Sequence, residues 1–352
     1  MERTLVVTAI LFVVLAARPS SARTVTVDAG GGGDFKTVQE AVAAVPDGAA
    51  ERTVIRIRPG TYEGPVVVAK AKAKVTFEGE DAERTVLTYG YNINEENPPP
   101  AVRRYWGIGV VVLADDFRAE RVTFRNTSGD HGQALALRID GDRAALRHCR
   151  LLGWQDTLRV EAGRQYFVDC YVEGRVDFIY GSGTAVFDRC TVHSKNGGYV
   201  TAASTPADRP FGFVFLRCKL TGDATPWTPP AGLPPGASDT KPPRPGKAAY
   251  LGRPWRPHAS VTFVDCEMGD HVRPEGWDNW GKASNEQTAR YAEHNSTGPG
   301  ANPAKRVAWS RQMGKDEAAK ISVRAVLGGG DGWDAEAWGR ERRPDEPRAG
   351  TK

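Results

Sequence analysis

Two aspartates stand at matching distances from two cysteines: Asp156 lies seven residues after Cys149, and Asp177 lies seven after Cys170. If the chain winds so that equal offsets fall on the same spot of successive turns, the two carboxylates stack about 5 Å apart. Like charges that close cannot both ionise cheaply, so one carboxyl keeps its proton while its neighbour is anionic. Gln133 and Gln155 share a second register, six residues after Thr127 and Cys149. Their amides are neutral donors, suited to an oxyanion that forms beside the carboxylate pair. Neighbours on a regular strand point to opposite faces, so Gln155 and Asp156 can serve one site only if the chain bends or bulges there. Arg253 stands thirteen residues before Cys266, as Asp177 stands thirteen before Cys190. On a short coil this places both at one angular position, and the guanidinium can reach Asp177 and hold it ionised. Trp255 shares the face of Arg253 if 253–255 is strand. Singly, an Asp of this kind is usually a solvated corner, a Gln a ladder residue and an Arg-Pro-Trp stretch a loop packed on itself. The shared register of two Asp and two Gln, with Arg253 and Trp255 nearby, favours a site.

The element that would position these groups is a repeat. Five cysteines end the same short phrase: AALRHC (144–149), QYFVDC (165–170), AVFDRC (185–190), FVFLRC (213–218) and VTFVDC (261–266). RVTFRNT (121–127) fits with Thr127 in the Cys place, and the spacings from there are 22, 21, 20, 28 and 48. The runs 52–58 and 74–79 look like earlier members. One β-phrase about every 21 residues predicts a solenoid. Alternating apolar residues and frequent Gly favour an all-β, parallel β-helix over a leucine-rich horseshoe. The cysteines then form an inward column, either as small buried hydrophobes or bridged between coils. Residues 221–247 are Pro/Gly-rich and read as a long surface loop, with another at 91–104 around Pro98-Pro99-Pro100. Helical pattern is confined to Val38–Val45 and the region after 283.

Composition narrows the class. The chain has 352 residues, 40% hydrophobic and 26% charged, enough to bury a core. Lys and Arg total 47 against 43 Asp and Glu, for a net charge of +4. That balance, with no basic block, argues against nucleic acid as a partner. An apolar run from Leu5 to Ala17 follows Glu2-Arg3 and ends in small residues at Ala22. It reads as a cleaved signal peptide, being short of the roughly 20 residues that span a membrane. The expected organisation is a signal peptide at 1–22, a β-helix domain at 23–339 and a polar tail at 340–352, giving a secreted protein that crosses no membrane. Two sequons, at Asn126 and Asn295, fit that route. Five Cys is odd, so at least one thiol is free or paired to another chain.

At the residues singled out above, the chain resembles the pectinesterase (pectin methylesterase) family, most closely its plant members without an inhibitor-like pro-region. The resemblance runs from about Val25 to Trp338 and is carried by GGGDFKTVQEAVAAVP (31–46), QALALRIDGDRA (133–144), GWQDTL (153–158), GRVDFIYG (174–181), YLGRPW (250–255), GWDNW (276–280) and STGPGA (296–301). It implies a right-handed parallel β-helix and hydrolysis of methyl esters of pectin, releasing acidic pectin and methanol in the plant cell wall. By motif, Asp177 would be the nucleophile and Asp156 the general acid, then base. Gln133 and Gln155 would hold the oxyanion. Arg253 and Trp255 would bind substrate, and Tyr180 would stack on sugar. The expected state is a monomer that meets pectin and a proteinaceous pectinesterase inhibitor, and with no His/Cys ligand cluster in the sequence no metal or other cofactor is expected.

Four departures touch the cleft rim. Glu63 falls one place short in Gly60-Thr61-Tyr62-Glu63-Gly64, and Thr201-Ala202-Ala203 lacks the usual Gln. Arg103-Arg104 replace a substrate-contacting Thr, and Arg175 stands where a small residue usually precedes Val-Asp-Phe. Two rival readings remain at this stage. A glycoside hydrolase also uses two carboxylates about 5 Å apart, although paired amides suit an ester's oxyanion better than an oxocarbenium ion. A catalytically impaired pectin-binding protein of the cell wall would fit the missing Gln.

Overall fold

Short runs rich in β-branched and aromatic residues, such as Thr53–Ile57 and Thr184–Asp188, form strands because their side chains fit a pleated surface. The computed structural model describes residues 22–94, 103–223 and 249–340. Residues 1–21 of the expected signal peptide, Pro98–Pro100, most of the 221–247 loop and the tail beyond 340 lie outside them. Among the described residues the strands form three parallel sheets of 11, 8 and 7 members. Every strand inside a sheet pairs with the strand one coil before and one coil after it, and only the two end strands of each sheet have a single partner. The fold is an all-β, right-handed parallel β-helix, as expected, and right-handed crossover is the rule for parallel strands.

One coil shows how the sequence makes the turns. Ala144–Arg147 lies in the 11-stranded sheet, Arg150–Leu152 in the 8-stranded sheet and Leu158–Val160 in the 7-stranded sheet. The first corner is cut by His148, whose φ of 51° is left-handed. Arg121, Asp169, Arg189, Arg217, Asp265 and Asn295 repeat that conformation, with φ between 50° and 54°. Each is a single left-handed residue, which turns the chain sharply and aims the next side chain inward. The next residues are Val122, Cys149, Cys170, Cys190, Cys218, Cys266 and Ser296. The five Cys are all buried and free, so the column is one of small apolar side chains. Each of the last four also directs its weak S–H donor at a carbonyl of the preceding coil, as Cys218 does to Phe187 O at 3.2 Å.

Beside this column Phe167, Phe187, Phe215 and Phe263 stack in register, with ring centroids 4.5–4.7 Å apart and planes within 11°. The N-terminal end is covered by helix Val38–Ala43, started by a capping box between Thr37 and Glu40. The outer face of the 11-stranded sheet carries a second apolar cluster, where Val323, Val326, Leu327 and Trp338 pack on Tyr166, Val186 and Val214.

Two expectations are corrected. Arg150 pairs with Thr123 and Leu151 with Phe124, so Val122, not Thr127, stands opposite Cys149. Thr127 instead donates its hydroxyl to Tyr89 O. Asn126 is buried and its amide donates to Tyr91 O and Leu135 O, which leaves the first sequon closed in the folded chain; Asn295 is exposed.

Candidate active site

The cleft lies outside the 7-stranded sheet, with a volume of about 320 Å³. Gln133, Gln155, Asp156, Asp177, Tyr180, Arg253 and Trp255 all line it, together with Asn94, Gly132, Ala202 and Trp280. The seven residues named from the sequence thus share one concavity.

Gln133 and Gln155 pair across adjacent coils. Their register holds although Thr127 does not occupy the Cys place. Eleven residues separate Val122 from Gln133, and six separate Cys149 from Gln155. The loop at 127–132 absorbs the five-residue difference. One coil on, Leu158 pairs with Ile179, which sets Asp156 level with Asp177 on neighbouring strands. The facing problem is solved by the backbone. Asp156 has φ 66° and Asp177 has φ 50°. A left-handed residue breaks the alternation of a strand, so Gln155 and Asp156 both reach the cleft. Asp tolerates this conformation better than most residues, so the ionisable residue type also fits the bend.

The carboxyls differ in their partners. Asp177 is 6% exposed and receives a two-pronged bond from Arg253, Nε to Oδ1 at 2.9 Å and Nη2 to Oδ2 at 2.7 Å. Asp156 is 5% exposed. Its carboxyl is pushed up to about 8, first by burial and then by the charge of Asp177, against a hydrogen bond from Tyr180 that favours ionisation. At neutral pH the pair therefore holds one proton, on Asp156, as the stacked arrangement predicts.

Arg253 reaches Asp177 by a route that differs from the expectation. Ile179 pairs with Thr201 and Thr201 with Gly252, so Tyr199 and Tyr250 continue the Asp177 column. Arg253 lies three residues further on, level with Ala202 and Tyr180. Its strand, Ala249–Gly252, ends just before it, but Arg253 N and Trp255 N still donate to Thr201 O and Ala203 O at 2.9 Å. The guanidinium is clamped between the rings of Tyr199 and Trp280, at 3.9 and 3.8 Å from their centroids, and so returns to Asp177. Those two rings were not singled out by sequence. Trp280 sits in the quoted GWDNW segment, and Tyr199 could have been found by counting 22 from Asp177.

Tyr180 is 7% exposed, edge-on to Trp255 at 5.8 Å, with Arg159 over its ring at 5.4 Å. It offers the cleft a hydroxyl directed at Asp156 more than an open ring face. Trp255 and Trp280 are the more exposed aromatic surfaces. Ala202 and Ala203, in the segment where the resemblance implies a Gln that this sequence lacks, are buried, and Ala202 forms part of the floor. Among the described residues no cluster of His, Cys, Asp and Glu could hold a metal.

A sequence model of the pectinesterase family matches residues 24–330. Pectinesterase 31 of Arabidopsis thaliana is 41% identical over 306 residues, spanning 85% of this chain and 90% of its own length. A carrot pectin methylesterase matches with a TM-score of 0.77 at 29% identity, covering 89% of this chain and 96% of that one. A pectin methylesterase from Erwinia chrysanthemi gives 0.72 at 26% identity, covering 90% and 99%. With the fold, the cleft and these likenesses in agreement, the chain belongs to the pectinesterase family and is a carboxylic ester hydrolase.

Proposed function

We propose that this chain removes methyl esters from pectin by a two-step acyl transfer centred on Asp177 and Asp156. An Asp177 oxygen attacks the carbonyl carbon of a galacturonate methyl ester. The carbonyl electrons move onto oxygen, where the amides of Gln133 and Gln155 meet the developing charge. Collapse expels the methoxy group, which takes the proton of Asp156 and leaves as methanol. An anhydride between Asp177 and the sugar acid remains. Asp156, now a carboxylate, deprotonates a water that attacks the anhydride, and Asp177 departs with its charge restored. Arg253 holds Asp177 in line, while Trp255 and Trp280 offer ring faces to the sugar chain.

The observation that carries this reading is the unequal pair: one carboxyl ion-paired to Arg253, its stacked neighbour holding a proton near neutrality. A hexasaccharide complex of a pectin methylesterase with a TM-score of 0.72 and 25% identity supports an oligosaccharide as occupant of such a cleft. The test is methanol release by the mature chain from highly methylated pectin. New reducing ends without methanol would indicate glycoside cleavage, and pectin binding with neither product an inactive binder.

Residues 1–22 direct the chain to the cell wall in this reading, where it works as a monomer and meets proteinaceous inhibitors. Relatives named pectinesterase/pectinesterase inhibitor support the last point. No helix among the described residues is long and apolar enough to cross a membrane. The N-terminal sequence and elution volume of the secreted product check these statements.

A further inference from the structure

The loop that sets Gln133 in register has an anchor two coils away. Residues 127–132 include Gly129 and Gly132 at φ 85° and 131°, conformations open chiefly to glycine and costly in chain entropy to fix. On its C-terminal side the backbone is held by Ala134 N to Gln155 O at 3.1 Å and by Ile93 N to Gln133 O at 2.9 Å. Between the two glycines lies Asp130. Its Oδ2 accepts from Arg175 Nη1 at 2.5 Å, with the two side chains 10% and 5% exposed.

Arg175 is itself rigidly placed, two residues before Asp177. Its N–H donates to Trp154 O at 2.8 Å, and its carbonyl accepts from Tyr199 N at 2.9 Å. The ion pair therefore runs from the coil of Asp177, past the coil of Gln155 and Asp156, to the coil of Gln133. A buried ion pair adds little to stability, because desolvation offsets attraction. It is demanding in geometry, and breaking one side leaves an unpaired buried charge.

We propose that Arg175 and Asp130 are positioning residues that fix the height of Gln133 relative to Asp177, so that its amide meets the oxyanion. The inference rests on the reading of Gln133 as an oxyanion donor. An amide used only when charge develops on oxygen acts on turnover, and a donor displaced by a fraction of an ångström loses most of that effect.

The experiment is a double-mutant cycle on methanol release. Asp130→Asn is expected to lower kcat about tenfold with KM within about twofold, a part of the 10²–10³-fold loss typical of deleting one oxyanion donor. In a Gln133→Ala background the same substitution is expected to cost nothing further. Equal losses in both backgrounds would reduce the pair to a structural role and overturn the proposal. If Asp130→Asn does not fold, the doubly neutral Asp130→Asn, Arg175→Gln chain leaves no lone buried ion and is read by the same cycle. Wild-type turnover in a folded variant would sink the positioning role and leave the esterase reading intact. Absence of methanol from the unsubstituted chain would remove both.

Discussion

The inside of the solenoid and its cleft use one geometry for opposite ends. Within the coils, register stacks phenylalanine on phenylalanine and cysteine on cysteine. There the spacing of paired strands matches the contact distance of apolar groups, and repetition stabilises. In the cleft the same spacing stacks aspartate on aspartate, and repetition costs. The cost appears as a carboxyl that holds its proton to about pH 8 and as an arginine sandwiched between two rings to balance its neighbour. Repetition of one residue type down a column is thus a packing device when the group is apolar and a chemical device when it is ionisable.

The contrast can be broken from either side. Asp177→Asn removes the proposed nucleophile from the charged column. Methanol release should fall at least about 10⁴-fold, equivalent to about 5.5 kcal/mol of transition-state binding, in a chain that still folds as a solenoid. Near wild-type turnover would end the assignment. Phe187→Ala opens the middle of the apolar stack and should lower unfolding free energy by about 3–5 kcal/mol, read as an earlier urea midpoint.

Asp156→Asn should abolish turnover and raise stability. The raised carboxyl stays protonated when folded but ionises when unfolded, so wild-type stability declines as pH rises from about 4 towards 8. The variant lacks that decline, so it should be more stable than wild type by on the order of 4 kcal/mol at pH 7. The two should converge below pH 4. By the same shift, wild-type kcat/KM should fall as pH passes about 8, where Asp156 loses the proton that methanol needs. A melting difference that stays constant with pH would contradict the stacked-carboxyl account. The smallest expected effect is that of Cys190→Ala, about 1 kcal/mol of lost burial, with turnover unchanged.

Much of this plan was legible because a solenoid writes spatial neighbours at fixed sequence intervals. The Cys phrases gave the coil, and the offsets of Asp156 and Asp177 gave the pair. Reading failed where coil length changed without marking itself. Thr127 falls at the Cys spacing only because the 127–132 loop restores at Gln133 the register that the strands before it lack. Arg253 was assigned the right partner through a wrong count, because side-chain reach covers three residues of error. The left-handed turns at Asp156 and Asp177 are a backbone state that residue type permits without dictating. The contact between Asp130 and Arg175 skips a coil and left no periodic trace.

Every thiol of this chain sits in a different coil, sealed from solvent and in no disulfide. Reductants therefore have no bond to cut, and the protein should melt alike with and without dithiothreitol. An alkylating reagent can reach a given sulfur only when that coil opens. The order in which Cys149, Cys170, Cys190, Cys218 and Cys266 become labelled would then report, coil by coil, from which end the solenoid frays.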